Sequence, residues 1–360
     1  MAEKIAREQE HLEALSYLTL ATPSRTESSV RFVNSLSPSE RNDLLTLADS
    51  HHVVIRALTA LQQHPAVSPE VKAWTTAALA KENARISNAV NFIERITQNL
   101  EANGCPVVVM KTLDHWPDLG NDIDMYSTAD DSKICEVMQK TFNAHIEPRS
   151  WGDRLAHKWN FAIVGLPEAV EIHVQRLGQT GEHTALARRF VTKRVPKIYG
   201  GRSFYVPAPE ERIVVATLQR MYRHFYFRIC DIANSSAIFE SGELDIKELK
   251  RIGEYAGIWP GIATYLMIVS DLMQRYRGIG LQLPKVVTDA ARFGGKEIKV
   301  NASFLRVPIV PHGMKLYTEQ ITATAFRGDV PATFRLGLLP PLASAAAISY
   351  KLTGSDKGIW

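Results

Sequence analysis

Apolar residues first recur at helical spacing. Leu44, Leu45, Leu47, Val54, Ile55, Leu58 and Leu61 mark one such run, with Ser37 and Ser39 placed to cap it and His64-Pro65 to end it. Ser68-Pro69-Glu70 opens a second run, Pro69 being suited to a first helical turn. Trp74, Ala77, Ile86, Val90, Ile93, Ile96 and Leu100 form its apolar stripe, and Asn103-Gly104 supplies a stop. Residues 1–104 are therefore predicted to be helical.

The period changes at Pro106. Val107, Val108, Val109 and Met110 form a continuous apolar run, the mark of a short buried strand. A brief helix or turn follows through Leu119. Asp122-Ile123-Asp124-Met125-Tyr126 then alternates polar with apolar, as a half-buried strand does. The spacing predicts a helix from Ser132 to Phe142. It predicts two strands, Trp159 to Val164 and Ala169 to Val174, joined at Gly165-Leu166-Pro167. Helices are expected from Pro207 to about Arg228, over 245–278 with an interruption at 257–261, and around 313–326, with an irregular stretch from Pro284 to Pro311. Phe334 to Leu352 is too apolar to stay solvated, is split by Pro340-Pro341, and is expected to pack on the protein in preference to a partner or membrane surface. The reading is an α+β fold. A mixed-sheet core (105–206) follows a helical N-terminal region (1–104) and precedes a helical region (207–300) and a C-terminal segment (301–360).

Composition narrows this picture only a little. Of 360 residues, 45% are hydrophobic and 22% charged, which suits a globular chain able to bury a core without staples. Cys105, Cys135 and Cys230 lie far apart with no CxxC spacing, so no structural zinc site and a cytoplasmic, reducing setting are expected. The charged opening, MAEKIAREQEHLEAL, lacks the apolar centre of a secretion signal, and no run of 18 apolar residues predicts a membrane span. A net charge of +4 permits a polyanionic partner without requiring one. Arg188, Arg189, Lys193, Arg194 and Lys197 form a basic stretch, which reads as a solvated face or as a guide for such an acceptor.

The chemistry lies in the alternating strand. Asp122 and Asp124 stand two residues apart, so they project from one face, and two carboxylates so placed repel unless a cation lies between them. A magnesium-like ion favours oxygen ligands and keeps substrate phosphates in its shell. If the Glu171 strand pairs beside the first, three carboxylates converge, an arrangement suited to two-metal phosphoryl transfer. A DxD pair alone is common on solvated strands and turns. The order of apolar strand, turn, DxD strand and later carboxylate strand gives it weight. His173 shares the face of Glu171. His224, Arg228 and Asp231, spaced four and three, are expected on one helical face, where Arg228 and Asp231 can also form a plain local ion pair.

Three segments, VVVMKTLDHWPDLGNDIDMYS, VEIHV and RMYRHFYFRICDIA, together resemble the DNA-polymerase-β-like nucleotidyltransferase superfamily, and within it the family-5 nucleotidyltransferases. The resemblance covers roughly residues 105–280. It implies that Asp122, Asp124 and Glu171 are the catalytic carboxylates and hold Mg²⁺ or Mn²⁺. Glu171 would also accept the proton of the attacking hydroxyl. Lys111, Thr112 and Asn121 would meet the nucleotide, ATP or another NTP, and His173, His224, Arg228 and Asp231 the substrate. Thr112 stands where glycine is usual, so its hydroxyl is expected either to reach phosphate or to crowd it, and Asn121 replaces a glycine or small residue. The implied reaction moves an NMP to an acceptor hydroxyl on a small molecule, tRNA or protein. The alternative is a catalytically degenerate nucleotide-binding or scaffold protein of the same fold.

Overall fold

The computed structural model describes residues 2–301 and 303–353. Five helices come first: α1 (Ala2–Leu20), α2 (Glu27–Ser35), α3 (Pro38–Ser50), α4 (Val54–Gln63) and the 34-residue α5 (Pro69–Ala102). Ser37 caps α3: its hydroxyl accepts from the Glu40 N–H while the Glu40 carboxylate accepts from the Ser37 N–H at 2.8 Å. The apolar run from Leu44 to Leu61 is two helices, because the chain turns at His51-His52, with His52 at φ +51°.

The α/β part follows as β1 (Val107–Val109), β2 (Asp122–Ser127), α6 (Asp131–Phe142), β3 (His145–Ile146), α7 (Trp151–Ala156), β4 (Lys158–Ile163) and β5 (Leu166–Val174). These strands make one mixed sheet in the order β1-β2-β5-β4-β3, in which β2 and β5 are parallel and the other pairs antiparallel. Alternation then separates the faces. Ile123, Met125, Val170, Ile172 and Val174 enter the main apolar core with Ile86, Val90 and Ile93 of α5. Asp122, Asp124, Tyr126, Glu171 and His173 lie on the other face, since Asp124 pairs with Glu171 and Tyr126 with His173.

Beyond the sheet come α8 (Thr184–Thr192), the hairpin of β6 (Val195–Tyr199) and β7 (Arg202–Val206), and α9 (Pro209–Thr217), which continues into a wider helical turn over Leu218–Arg223. The helix expected to reach Arg228 stops there. β8 (Tyr226–Phe227) intervenes before α10 (Ile229–Glu240), α11 (Ile246–Ala256), α12 (Trp259–Arg277) and α13 (Lys285–Thr288). Within the stretch expected to be irregular lie β9 (Lys299–Asn301) and β10 (Phe304–Arg306), and β10 pairs with both β8 and β9. The chain closes with α14 (Met314–Phe326), α15 (Val330–Gly337) and α16 (Leu339–Thr353). Pro340 and Pro341 sit in the first turn of α16, where a proline ring is tolerated. Packing of this end is partial: Leu336 is buried, but Phe334 is 68% and Ile348 60% exposed.

One apolar cluster runs from Leu12 to Leu316 and joins the helical and sheet parts. Much of the basic stretch is tied into the fold rather than left free. Arg189 bridges Glu211 and Glu248, each at 2.7 Å, Arg194 pairs with Glu101, and Lys197 with Glu243 at 2.8 Å. No helix is long and apolar enough to cross a membrane among the described residues.

Candidate active site

The loop from Met110 to Asn121 is fixed from several sides before it delivers Asp122. Lys111 takes φ +58°, which turns the chain sharply out of β1. The buried Thr112 hydroxyl accepts from the Asp124 N–H at 2.7 Å and donates to the Asp122 carbonyl at 3.3 Å. That hydroxyl fastens the first turn of β2 from beneath. Thr112 lines the cleft where a nucleotide contact was expected of it, and its hydroxyl there is bonded to backbone. Arg85 of α5 donates to the carbonyls of Leu119 and Gly120 at 3.1 and 3.3 Å, and Arg56 to that of Trp116 at 2.7 Å. Asp118 accepts from the Ile55 N–H at 2.6 Å, so the same loop caps the N-terminus of α4.

Three side chains on the polar face come together. Donor atoms of Asp124, Glu171 and His173 all lie within 4.8 Å of one another. Asp122 lies in the same cleft but at the exposed start of β2, outside that tight group. The structure thus groups His173 with Asp124 and Glu171, a place the spacing gave to Asp122. Lys111 contacts Asp124, and Lys158 of β4 reaches Glu171 at 3.0 Å and Asp153 at 2.9 Å. Both ring nitrogens of His173 are buried without a hydrogen-bond partner.

Electrostatics separates these groups. Burial, with Glu171 nearby, pushes the Asp124 carboxyl up to about 6 although Lys111 pulls it down. Asp122 is raised by burial and then by Glu171. Burial would raise Glu171 too, but Lys158 and then Lys111 hold it below the usual carboxylate range. Burial and the neighbouring Lys111 and Lys158 keep the His173 imidazole neutral.

Gln219, Arg220, Arg223, His224, Tyr226 and Arg228 form the opposite wall of a polar cleft with about 830 Å³ of empty space. His224 and Arg228 do not share a helical face, because β8 lies between their elements. Arg228 instead donates to His52 Nε2 at 2.6 Å, with its backbone N–H on Asp231 at 2.7 Å. Asp231, an expected substrate contact, is buried behind the wall and paired with Arg220 at 2.7 Å, apart from the residues that line the cleft. Asn121 lines the cleft and is exposed. Arg223 is exposed at the mouth and has neither hydrogen bond nor ion pair among the described residues.

Sequence reasoning missed His52 and His115, which back this cleft with rings 5.0 Å apart. The paired histidines at the end of an apolar run are the one local signal for them.

The profile of a family described as uncharacterised nucleotidyltransferase matches residues 37–273. The chain belongs to this family. No curated protein matches it. The span that makes it a nucleotidyltransferase family member starts at the cap of α3 and ends within α12. It therefore contains the whole five-stranded sheet and both cleft walls, and leaves α1, α2 and α14–α16 outside.

Proposed function

We propose that the chain transfers an NMP from an NTP, ATP among the candidates, to an acceptor hydroxyl with release of pyrophosphate. The observation that carries this reading is the parallel pairing of β2 with β5, which sets Asp124 beside Glu171 on a polar face with Asp122 at its edge.

The residues fit a divalent ion of the Mg²⁺ or Mn²⁺ kind. The donor set brought together is the Asp124 and Glu171 carboxylates and the neutral His173 imidazole, and both nitrogens of that buried ring lack a partner. Asp124 and Glu171 would hold it with His173 beside them, and Asp122 would contribute from the edge of the same cleft. When bound, such an ion offsets charge on the triphosphate and lowers the pKa of the attacking hydroxyl. The remaining work falls to the chain. Lys111, Arg220, Arg223 and Arg228 line the cleft as positive charges for phosphate oxygens. A bond forms between the acceptor oxygen and the α-phosphorus as the bond to pyrophosphate breaks. The hydroxyl proton passes to Glu171, the carboxylate held ionised by Lys158.

One observation favours a rival, a nucleotide-binding module without turnover: Lys111 and Lys158 already neutralise Asp124 and Glu171. Labelled NTPs incubated with Mg²⁺ or Mn²⁺ and a cell extract separate the two. Transfer predicts label in the RNA, protein or small-molecule fraction. Nucleotide binding with no labelled fraction would leave the rival standing.

A further inference from the structure

A second cavity opens beside the first. Met110, Leu177, Val215, Leu218 and Leu339 give it an apolar lining, and the room within it is about 60 Å³. Lys111, Gln219 and Arg223 line both cavities, so these side chains are the wall between them. His173 also lines the second cavity while belonging to the acidic group, its Nε2 4.0 Å from Asp124. A molecule seated in the second cavity therefore reaches the carboxylates past His173. An apolar hollow with few convergent polar groups is the usual form of a small-molecule site. The polar cleft suits a triphosphate, and this hollow does not.

The side away from the cleft has its own chemistry. Glu182 is the one acid in the lining among the described residues, and its side chain is only 5% exposed. One carboxylate oxygen accepts from the N–H and hydroxyl of Thr180 at 2.9 and 3.1 Å. Gly178, at φ +93°, lies against this carboxylate, and a Cβ there would fall 2.2 Å from the carboxyl carbon. Only glycine leaves Glu182 its place. Gln320 of α14, held to His183 at 3.1 Å, stands on the same side. Gln320 and Leu339 come from beyond residues 37–273, so part of this cavity is built outside the family-matched span. Among the described residues Tyr222 and His173 are the aromatic rings in the lining, too little for the stacking platform that a nucleic-acid end requires.

We infer that this cavity is the acceptor subsite and that the acceptor is a small molecule with an apolar body. It carries its nucleophilic hydroxyl beside His173 and an amine or other hydrogen-bond donor beside Glu182. This rests on the transfer reading above. The acceptor oxygen bonds to the α-phosphorus of the nucleotide in the neighbouring cleft, pyrophosphate leaves, and the proton goes to Glu171.

Ligand-observed NMR on the full chain tests it, with aminohexanol and hexanol as probes and MgATP affinity measured in parallel. Leu218→Trp and Gln179→Trp fill the cavity from two sides, and melting curves confirm that each is folded. The expected result is that aminohexanol binds wild type, that either tryptophan weakens it about tenfold or more, and that Glu182→Gln removes its advantage over hexanol. MgATP affinity should stay within about twofold throughout. Unchanged aminohexanol binding in both folded tryptophan variants, with MgATP still bound, overturns the subsite and leaves the transfer reading intact. Cavity-dependent aminohexanol binding in a protein that takes no MgATP supports the small-molecule site and sinks the transfer reading instead. Displacement of aminohexanol by a CCA-ended oligonucleotide would assign the cavity to a nucleic-acid end and overturn the proposal.

Discussion

At the scale of single residues, Thr112 shows how position decides the use of a hydroxyl. A loop closes so that this hydroxyl lies under the backbone of Asp122 and Asp124. Replacing it by valine keeps the shape but leaves the Asp124 N–H without its acceptor. Thr112→Val should cost about 1–3 kcal/mol in urea unfolding and lower NMP transfer, whereas Thr112→Ser should keep most of both. Equal stability of the valine and serine forms would remove the clamp from the account. Asp122, Asp124, Glu171 and His173 were legible because a strand's alternation is a local property. His52 and His115 were not, since they meet only when α4 and the 116–121 loop dock. Nor does sequence alone reveal that Lys111 and Lys158 neutralise the buried acids, because their partners are set by turn geometry and sheet register.

At the scale of elements, the helical face expected for His224, Arg228 and Asp231 fails for a tertiary reason. Phe225 takes φ +54°, and Tyr226 and Phe227 pair with Arg306 and Leu305, far along the chain. A window over 207–231 contains nothing of β10, so helical spacing won on local grounds. Four strands of the sheet were easier to read, because β2, β4 and β5 each carry their own pattern and turn signals, whereas the two-residue β3 is too short to carry one. Loop and helix are coupled at Asp118, which caps α4 while anchoring the segment before Asn121. Asp118→Ala should cost about 1–2 kcal/mol in chemical denaturation and weaken nucleotide binding as the loop loosens. A variant that melts like wild type would show that the cap is not needed.

At the scale of the whole molecule, buried histidines set the response to acid. Burial chiefly pushes His51 down to about 4 and His52 and His224 to about 2, each from an ordinary value of 6.5. These rings stay neutral in the fold but bind a proton when the chain unfolds below pH 6.5. Their contribution is complete above 6.5 and is lost as pH falls, each by roughly 1.4 kcal/mol per pH unit. Asp118, pushed by burial up to about 7, and Asp124, up to about 6, oppose this, because the fold favours their protonated forms. His11, His115, His173 and His183 are lowered as well, against Asp49, Asp122 and Glu211 raised, so the more numerous histidines prevail. The melting temperature of the metal-free protein should fall from pH 6.5 to 5, and a rise over that range would contradict the balance of these groups. Conversely, Mg²⁺ at pH 7.5 should raise the melting temperature of wild type and not of Asp124→Asn, because removing one anionic ligand weakens the site.

The central claim is that Asp122, Asp124 and Glu171 act together in NMP transfer, and Glu171→Gln tests it most directly. Equilibrium MgNTP binding and single-turnover transfer to the labelled extract fraction would be measured on the same preparations as wild type. Asp122 and Asp124 still face the nucleotide in the variant, so much of the binding should remain. Transfer should drop about 10²-fold or more, because the group that takes the hydroxyl proton is gone. Binding and transfer both unchanged in Glu171→Gln would contradict the account.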